Sequence, residues 1–232
     1  VLYALPTKFN SQESLKDAQE CAKNLNLELK IIEIEDIFQN MLQNLGNINE
    51  IATQNLQSRI RGNILMSISN DTGALLLSTG NKSELAVGYA TIYGDMCGAF
   101  NPIKDIYKTE IFELAKWRNS NIPKISLYQK DNLIPQNIIT KEPSAELAPD
   151  QKDSDSLPEY KILDQILSLL IEEQKSIDDT INLGFDPDEV KKVAKLFYNS
   201  QYKRNQSPIG PKISKMAFGI ERRYPITNRY CK

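Results

Sequence analysis

Apolar residues along this chain fall into two kinds of run. Short continuous runs at Val1–Leu5, Leu29–Ile34 and Ala74–Leu77 predict strands. The third has no polar alternation, as expected of a central parallel strand covered on both faces. Between them the spacing is helical. Leu15, Ala18, Ala22 and Leu25 recur behind Asn10-Ser-Gln-Glu13, a possible capping box. Glu50–Asn70 carries Ile51, Leu56, Ile60, Leu65 and Ile68 along one long helix that ends toward Asp71-Thr-Gly73. Strand, helix, strand, helix, strand predicts a Rossmann-like doubly wound parallel α/β sheet.

The pattern then changes. Residues 79–110 are polar, glycine-bearing and aromatic, with a helix only over Asp105–Trp117. Residues 120–158 hold five prolines and no long period, so they read mainly as loop. Ser156-Leu-Pro-Glu159 opens a helix to about Glu173, and Gly184 suits a helix end. Asp186-Pro-Asp-Glu189 starts another, to about Tyr202, with Val190, Val193, Ala194 and Phe197 inward. The α/β sheet thus gains a helical C-terminal extension. The chain opens at Val1 inside an apolar run, which creates the expectation that it is processed or is part of a longer protein.

Composition narrows the chemistry. The 232 residues hold 28 Lys+Arg, 30 Asp+Glu and no histidine. Ser-His and Cys-His nucleophile pairs and histidine-ligated metals are therefore excluded within this chain. Cys21, Cys97 and Cys231 are an odd number without a close pair, which argues against a disulfide framework and suits a reducing cytoplasm. No run reaches the ~18 apolar residues of a membrane helix, so no membrane partner is expected. Residues 201–232 carry eight basic side chains and one acid, Glu221, against an acidic remainder. Such a tail suits an anionic partner, an intramolecular dock or simple solvation.

The best local candidate is Ser78-Thr-Gly-Asn-Lys-Ser-Glu84, directly after the third predicted strand. Ligands of open α/β sheets bind at that edge. Gly80 allows a sharp turn, the hydroxyls and amides can meet an anion, and Glu84 can hold Mg²⁺ beside a phosphate. The same Gly-Asn also makes an ordinary turn. Tyr89-Ala-Thr-Ile-Tyr-Gly-Asp95 offers either a stacking surface or aromatic packing under a loop. Arg59 and Arg61, two apart on the long helix, face different ways. Lys108 and Ser144 carry no signal of their own.

Seven segments in order, however, resemble one family: Asn55–Gly62, Thr79–Tyr89, Tyr93–Asp95, Pro102–Asp105, Lys141-Glu-Pro-Ser-Ala-Glu146, Tyr202–Arg204 and Arg223–Arg229. They are similar to the synthetase domain of NAD⁺ synthetases, α/β enzymes of the ATP-pyrophosphatase, adenine nucleotide alpha hydrolase-like type. Asn81-Lys-Ser-Glu84 and Thr227-Asn-Arg229 resemble the glutamine-dependent branch. The resemblance implies that ATP adenylates the nicotinate carboxylate of deamido-NAD⁺ and that ammonia then displaces AMP. It implies ATP contacts at Thr79, Lys108 and Ser144. It also implies deamido-NAD⁺ contacts at Asn55, Arg59, Glu84, Tyr89, Ala90, Thr91, Ile92 and Lys203, with Mg²⁺ at Glu84. A homodimer and ammonia from a glutaminase domain complete the picture. Val1–Pro6 matches the family's second strand, so the whole chain, 1–232, reads as an N-terminally incomplete synthetase domain. The first strand, the Ser-Gly-Gly-x-Asp-Ser phosphate loop and the glutaminase domain are expected to lie outside it, and the chain alone is expected to bind ATP poorly.

Three other readings stand beside this one. Another ATP-pyrophosphatase acting on a nucleotide or tRNA would show its own signatures after the shared core, and none is found. A binding or regulatory module could retain the fold without the phosphate loop. Nucleic-acid binding through the basic tail is the weakest of them, because the tail is short and the rest of the chain acidic.

Overall fold

The computed structural model describes residues 1–219 and 221–227. In chain order the elements are β1 (Leu2–Ala4), α1 (Gln12–Asn24), β2 (Leu29–Ile31), α2 (Glu35–Leu45), α3 (Glu50–Thr72), α4 (Lys82–Val87), α5 (Lys108–Ser120), α6 (Gln136–Thr140), α7 (Tyr160–Ile171), α8 (Ile177–Asn182), α9 (Pro187–Asn199) and α10 (Gln201–Arg204). They form two compact units. The first joins Val1–Ile60 to Glu110–Ser156, and the second joins Arg61–Thr109 to the chain from Leu157 onward.

In the first unit β1 and β2 pair in parallel, with Leu2 opposite Leu29 and Ala4 opposite Ile31. α1 is the crossover between them, as parallel pairing requires. Its cap is Ser11, one residue later than the sequence pattern suggests, with the side chain accepting from the Ser14 amide at 3.1 Å. The inward face carries Ala22 and a buried Asp17, whose carboxylate accepts from Asn137 of α6 at 2.6 Å. α2 is absent from the sequence reading. Ile34 and Phe38 bury its inner edge while Ile37, Met41 and Leu45 stay exposed. Asn119 of α5 binds both backbone groups of Ile134, which fixes the proline-bearing loop at that point. Trp117, the chain's only tryptophan, is half-exposed on α5.

The second unit is mainly helical. α4, α7 and α9 share one apolar core, in which Leu163, Ile166, Val190, Val193, Ala194 and Phe197 lose essentially all solvent contact. α9 begins as its sequence dictates. Asp186 accepts from the amides of Asp188 and Glu189, with Pro187 in the first turn. The helix stops at Asn199, short of the expected Tyr202, and α10 follows a break at Ser200. α8, also missed, opens on a capping box between Ser176 and Asp179. α7 begins after Glu159 with no side-chain cap, so Ser156 does not serve as one.

The expected central strand is the main difference. Ala74–Leu77 makes one parallel bridge, Leu77 to Phe100, and Phe100 makes another to Ile209. Leu75 and Leu77 are 66% and 52% exposed. The backbone bonds of this segment run from the Ala99 amide to the Leu76 carbonyl and from the Ser78 amide to the Phe100 carbonyl, both on the 99–100 segment. Among the described residues the only sheet has two strands, in place of the predicted doubly wound sheet. No described helix is long and apolar enough to cross a membrane. Asn228, Arg229 and Cys231 lie outside the described residues.

Candidate functional site

Every anchor of the Ser78–Glu84 loop lies within the second unit. The Ser78 amide bonds the Phe100 carbonyl, and its hydroxyl donates to the Asp95 carbonyl at 2.9 Å. Buried Asn101 donates to the Gly80 carbonyl at 2.7 Å. Asn81 and Glu84 then form a reciprocal capping box at the start of α4. A side-chain cap of this kind contributes about 1 kcal/mol. With both ends tied, Thr79 is left exposed at the tip.

Glu84 uses one carboxylate oxygen for the cap and meets Lys108 with the other, at 3.1 Å. Both side chains keep about a fifth of their surface in water, 19% and 22%. Sequence spacing does not foretell the pair; tertiary contacts build it. Ser83 donates to Asp164 of α7 at 2.5 Å, and Asp164 accepts from both the amide and hydroxyl of Thr109. The Lys108 amide in turn donates to the Ser83 hydroxyl. α5 therefore starts against α4, and its first side chain faces Glu84.

The Tyr89–Asp95 turn adjoins this loop through Asp95, whose carboxylate also accepts from the Thr91 amide at 2.7 Å. Tyr89, Ala90 and Ile92 are half-buried on the core. Gly62 lets α3 approach the turn, since a Cβ there would lie 2.6 Å from the Tyr93 carbonyl oxygen. Lys203 donates to the carbonyls of Gly88 and Ala90, both at 2.7 Å. It thus holds the turn that contains the expected dinucleotide contacts.

Two cations of this unit are buried, which their sequence positions do not foretell. Arg204 donates to the carbonyls of Leu85, Ala86 and Phe197, closing the C-terminal ends of α4 and α9. Burial pushes its guanidinium down to about 10, with Tyr224 opposing the shift. Lys82, wholly buried, binds Asp105 at 2.8 Å, Glu172 at 2.5 Å, the Ser214 hydroxyl at 2.6 Å and the Met216 carbonyl at 3.0 Å. Burial alone would raise the Asp105 carboxyl. Bonds from Lys82, the Ile213 and Ser214 amides and the Ser214 hydroxyl outweigh it and hold the group below its usual value.

The remaining expected residues belong to the first unit. Asn55 and Arg59 lie one turn apart on α3, half-buried and exposed respectively. Ser144 sits in the loop after α6, donating to the Gln151 carbonyl and accepting from the Glu146 amide.

The second unit of this α/β protein thus presents an anchored polar loop with an exposed tip and, at the start of the helix that follows it, a lysine–carboxylate pair. A family model described as NAD synthase matches residues 2–207. The chain belongs to that family. It is 51% identical over 229 residues to the glutamine-dependent NAD(+) synthetase of Acinetobacter baylyi, covering 97% of this chain and 41% of that protein. Among solved structures it is similar to the glutamine-dependent NAD⁺ synthetase of Acinetobacter baumannii in complex with ADP, with 43% identity and a TM-score of 0.55 over 97% of this chain and 40% of that one. It is also similar to the NH3-dependent NAD synthetase of Campylobacter jejuni in complex with nitrate, with 30% identity and a TM-score of 0.64 over 92% of this chain and 76% of that one. The chain spans about two fifths of the length of the glutamine-dependent relatives.

Proposed function

We propose that this chain is the synthetase domain of a glutamine-dependent NAD⁺ synthetase and amidates deamido-NAD⁺ at the expense of ATP. The carboxylate of the nicotinate ring attacks the α-phosphorus of ATP, and pyrophosphate leaves. Ammonia then attacks the activated carbonyl carbon, and AMP leaves. Charge neutralisation and in-line positioning carry such a reaction, so the absence of histidine is no obstacle. The observation that supports this reading best is the Glu84–Lys108 pair beside the exposed Thr79, held by buried residues yet open to water.

Within the reading, Thr79, Lys108 and Ser144 contact ATP. Asn55, Arg59, Glu84, Tyr89, Ala90, Thr91, Ile92 and Lys203 serve deamido-NAD⁺. Glu84 fits Mg²⁺, since its oxygens are hard donors and one of them faces the Lys108 ammonium rather than a backbone amide. A cation there would be held by this carboxylate together with phosphates and water. When bound, that cation would neutralise phosphate charge. The finer features of the reading are a doubly wound sheet in the complete domain, a homodimer, a cytoplasmic location and ammonia supplied by a glutaminase domain.

The test is NAD⁺ formation from deamido-NAD⁺, ATP, Mg²⁺ and free ammonia, using this chain and any longer product that contains it. AMP and NAD⁺ should appear in equal amounts, and Glu84→Gln should lower kcat/KM by roughly 10²-fold or more. Release of ADP instead of AMP, or indifference to Glu84→Gln, would overturn the reading.

A further inference from the structure

Glu146 was noted in the sequence only as the end of a motif, yet it is the most heavily bonded carboxylate of the first unit. It accepts from the Ser14 hydroxyl at 2.7 Å, the Ser11 hydroxyl at 2.9 Å, Lys141 at 3.1 Å, the Asn10 amide group at 3.3 Å and the Ser11 backbone amide at 3.4 Å. The protons balance. Lys141 donates one N–H to each serine oxygen, at 3.0 and 2.7 Å, and one to Glu146, while each serine hydroxyl donates to the carboxylate. The carboxyl is held below its ordinary value: burial opposes ionisation, but bonds from Ser14, Ser11, Lys141 and Asn10 prevail.

The backbone of the same residue is strained, with φ at +48°, in the left-handed region that a residue with a Cβ seldom adopts. Strain of this sort persists only where the surroundings over-determine it. Here it turns the Glu146 amide onto the Ser144 hydroxyl oxygen at 3.1 Å, while that hydroxyl donates to the Gln151 carbonyl. The loop is closed again by the Leu147 amide on Gln151 and by buried Gln57 on the Leu147 carbonyl, at 2.9 and 2.8 Å.

We propose that Glu146 is a positioning residue for the ATP-dependent step, its carboxylate clamping the 144–151 loop to the start of α1 so that Ser144 is presented in one fixed orientation. This rests on the proposed contact of Ser144 with ATP. Glu146 itself touches no substrate.

Two measurements test it. Hydrogen exchange of the ligand-free chain should show the amides of Glu146 and Leu147 losing protection by about tenfold in Glu146→Gln, because a charge-assisted set of bonds is weakened. Ser14→Ala, which leaves the carboxylate in place and removes one donor, should lose less in the same direction. In steady state Glu146→Gln should raise the KM for ATP by about tenfold while kcat and the KM for deamido-NAD⁺ stay within twofold. Unchanged protection, or equal changes in both KM values, would overturn the proposal. If the parent chain forms no NAD⁺ in any form, the proposed function fails, and exchange alone still decides whether Glu146 clamps the loop.

Discussion

Replacing Lys82 by methionine keeps the aliphatic stem and deletes the charge, so it isolates the buried ion network of the second unit. Lys82 has no exposed surface and faces two carboxylates, Asp105 at 2% exposure and Glu172 at 15%. After the change Asp105 keeps three donors, the Ile213 amide at 2.8 Å, the Ser214 amide at 2.6 Å and the Ser214 hydroxyl at 2.8 Å. Glu172 keeps one, the Met216 amide at 2.9 Å. Removing one partner of a buried pair costs roughly 3–5 kcal/mol. The surviving donors place this case near ~3 kcal/mol, and a domain of this size loses about 2–4 °C in Tm per kcal/mol. A fall of roughly 6–12 °C follows. The assay is thermal and urea unfolding, with hydrogen exchange of α4 to assign the loss to this unit. Adding Asp105→Asn to Lys82→Met should recover part of it, since one uncompensated charge disappears. A loss below ~1 kcal/mol, or further destabilisation by Asp105→Asn, would refute the view that charge pairing holds this region.

Other consequences are open to direct measurement. Gly88 has φ +72° and a Cβ there would strike Ser200, whereas Gly184 has φ +100° with open space around it. Urea unfolding should therefore show Gly88→Ala costing about 2–3 kcal/mol and Gly184→Ala only about 1 kcal/mol. Arg204→Met removes the side-chain donor from the Leu85 and Ala86 carbonyls, while Phe197 keeps the Ser200 amide, and should cost about 2–4 kcal/mol by the same measurement, with little rescue by lysine, which lacks the planar fork. Asp105 and Glu146 have depressed carboxyls, so their contribution to stability is complete above the ordinary values of 3.8 and 4.5 and is lost as pH falls through the depressed ones. Acid unfolding followed by circular dichroism should become less steep in Asp105→Asn and in Glu146→Gln; an unchanged slope would contradict the assignment.

What could be read from the sequence followed how local its cause was. α9 was legible because its cap, its proline and its buried stripe all lie within fourteen residues of one another. α2 was not, because it opens on Ile34 with no side-chain cap, although Ile34, Phe38, Met41 and Leu45 do carry helical spacing. Ala74–Leu77 misled for the opposite reason. A continuous apolar run says that burial is possible, but burial depends on partners elsewhere, and among the described residues the segment makes a single bridge, to Phe100. The site divides in the same way. Glu84 stood out through its loop, while Lys108 and Ser144 entered through family resemblance alone. Lys82 lies 90 residues from Glu172, and no spacing rule joins them.

The half-exposed Trp117 of α5 has a practical consequence. The first unit holds the chain's sole indole, while the second holds the packed rings of Phe197, Tyr198 and Tyr224, at centroid separations of 4.8–5.3 Å. Emission excited at the long-wavelength edge of the ultraviolet band, where only indole absorbs, reports on the first unit. The first unit thus carries its own native optical label, and its melting can be compared with the loss of total helix signal without any attached dye.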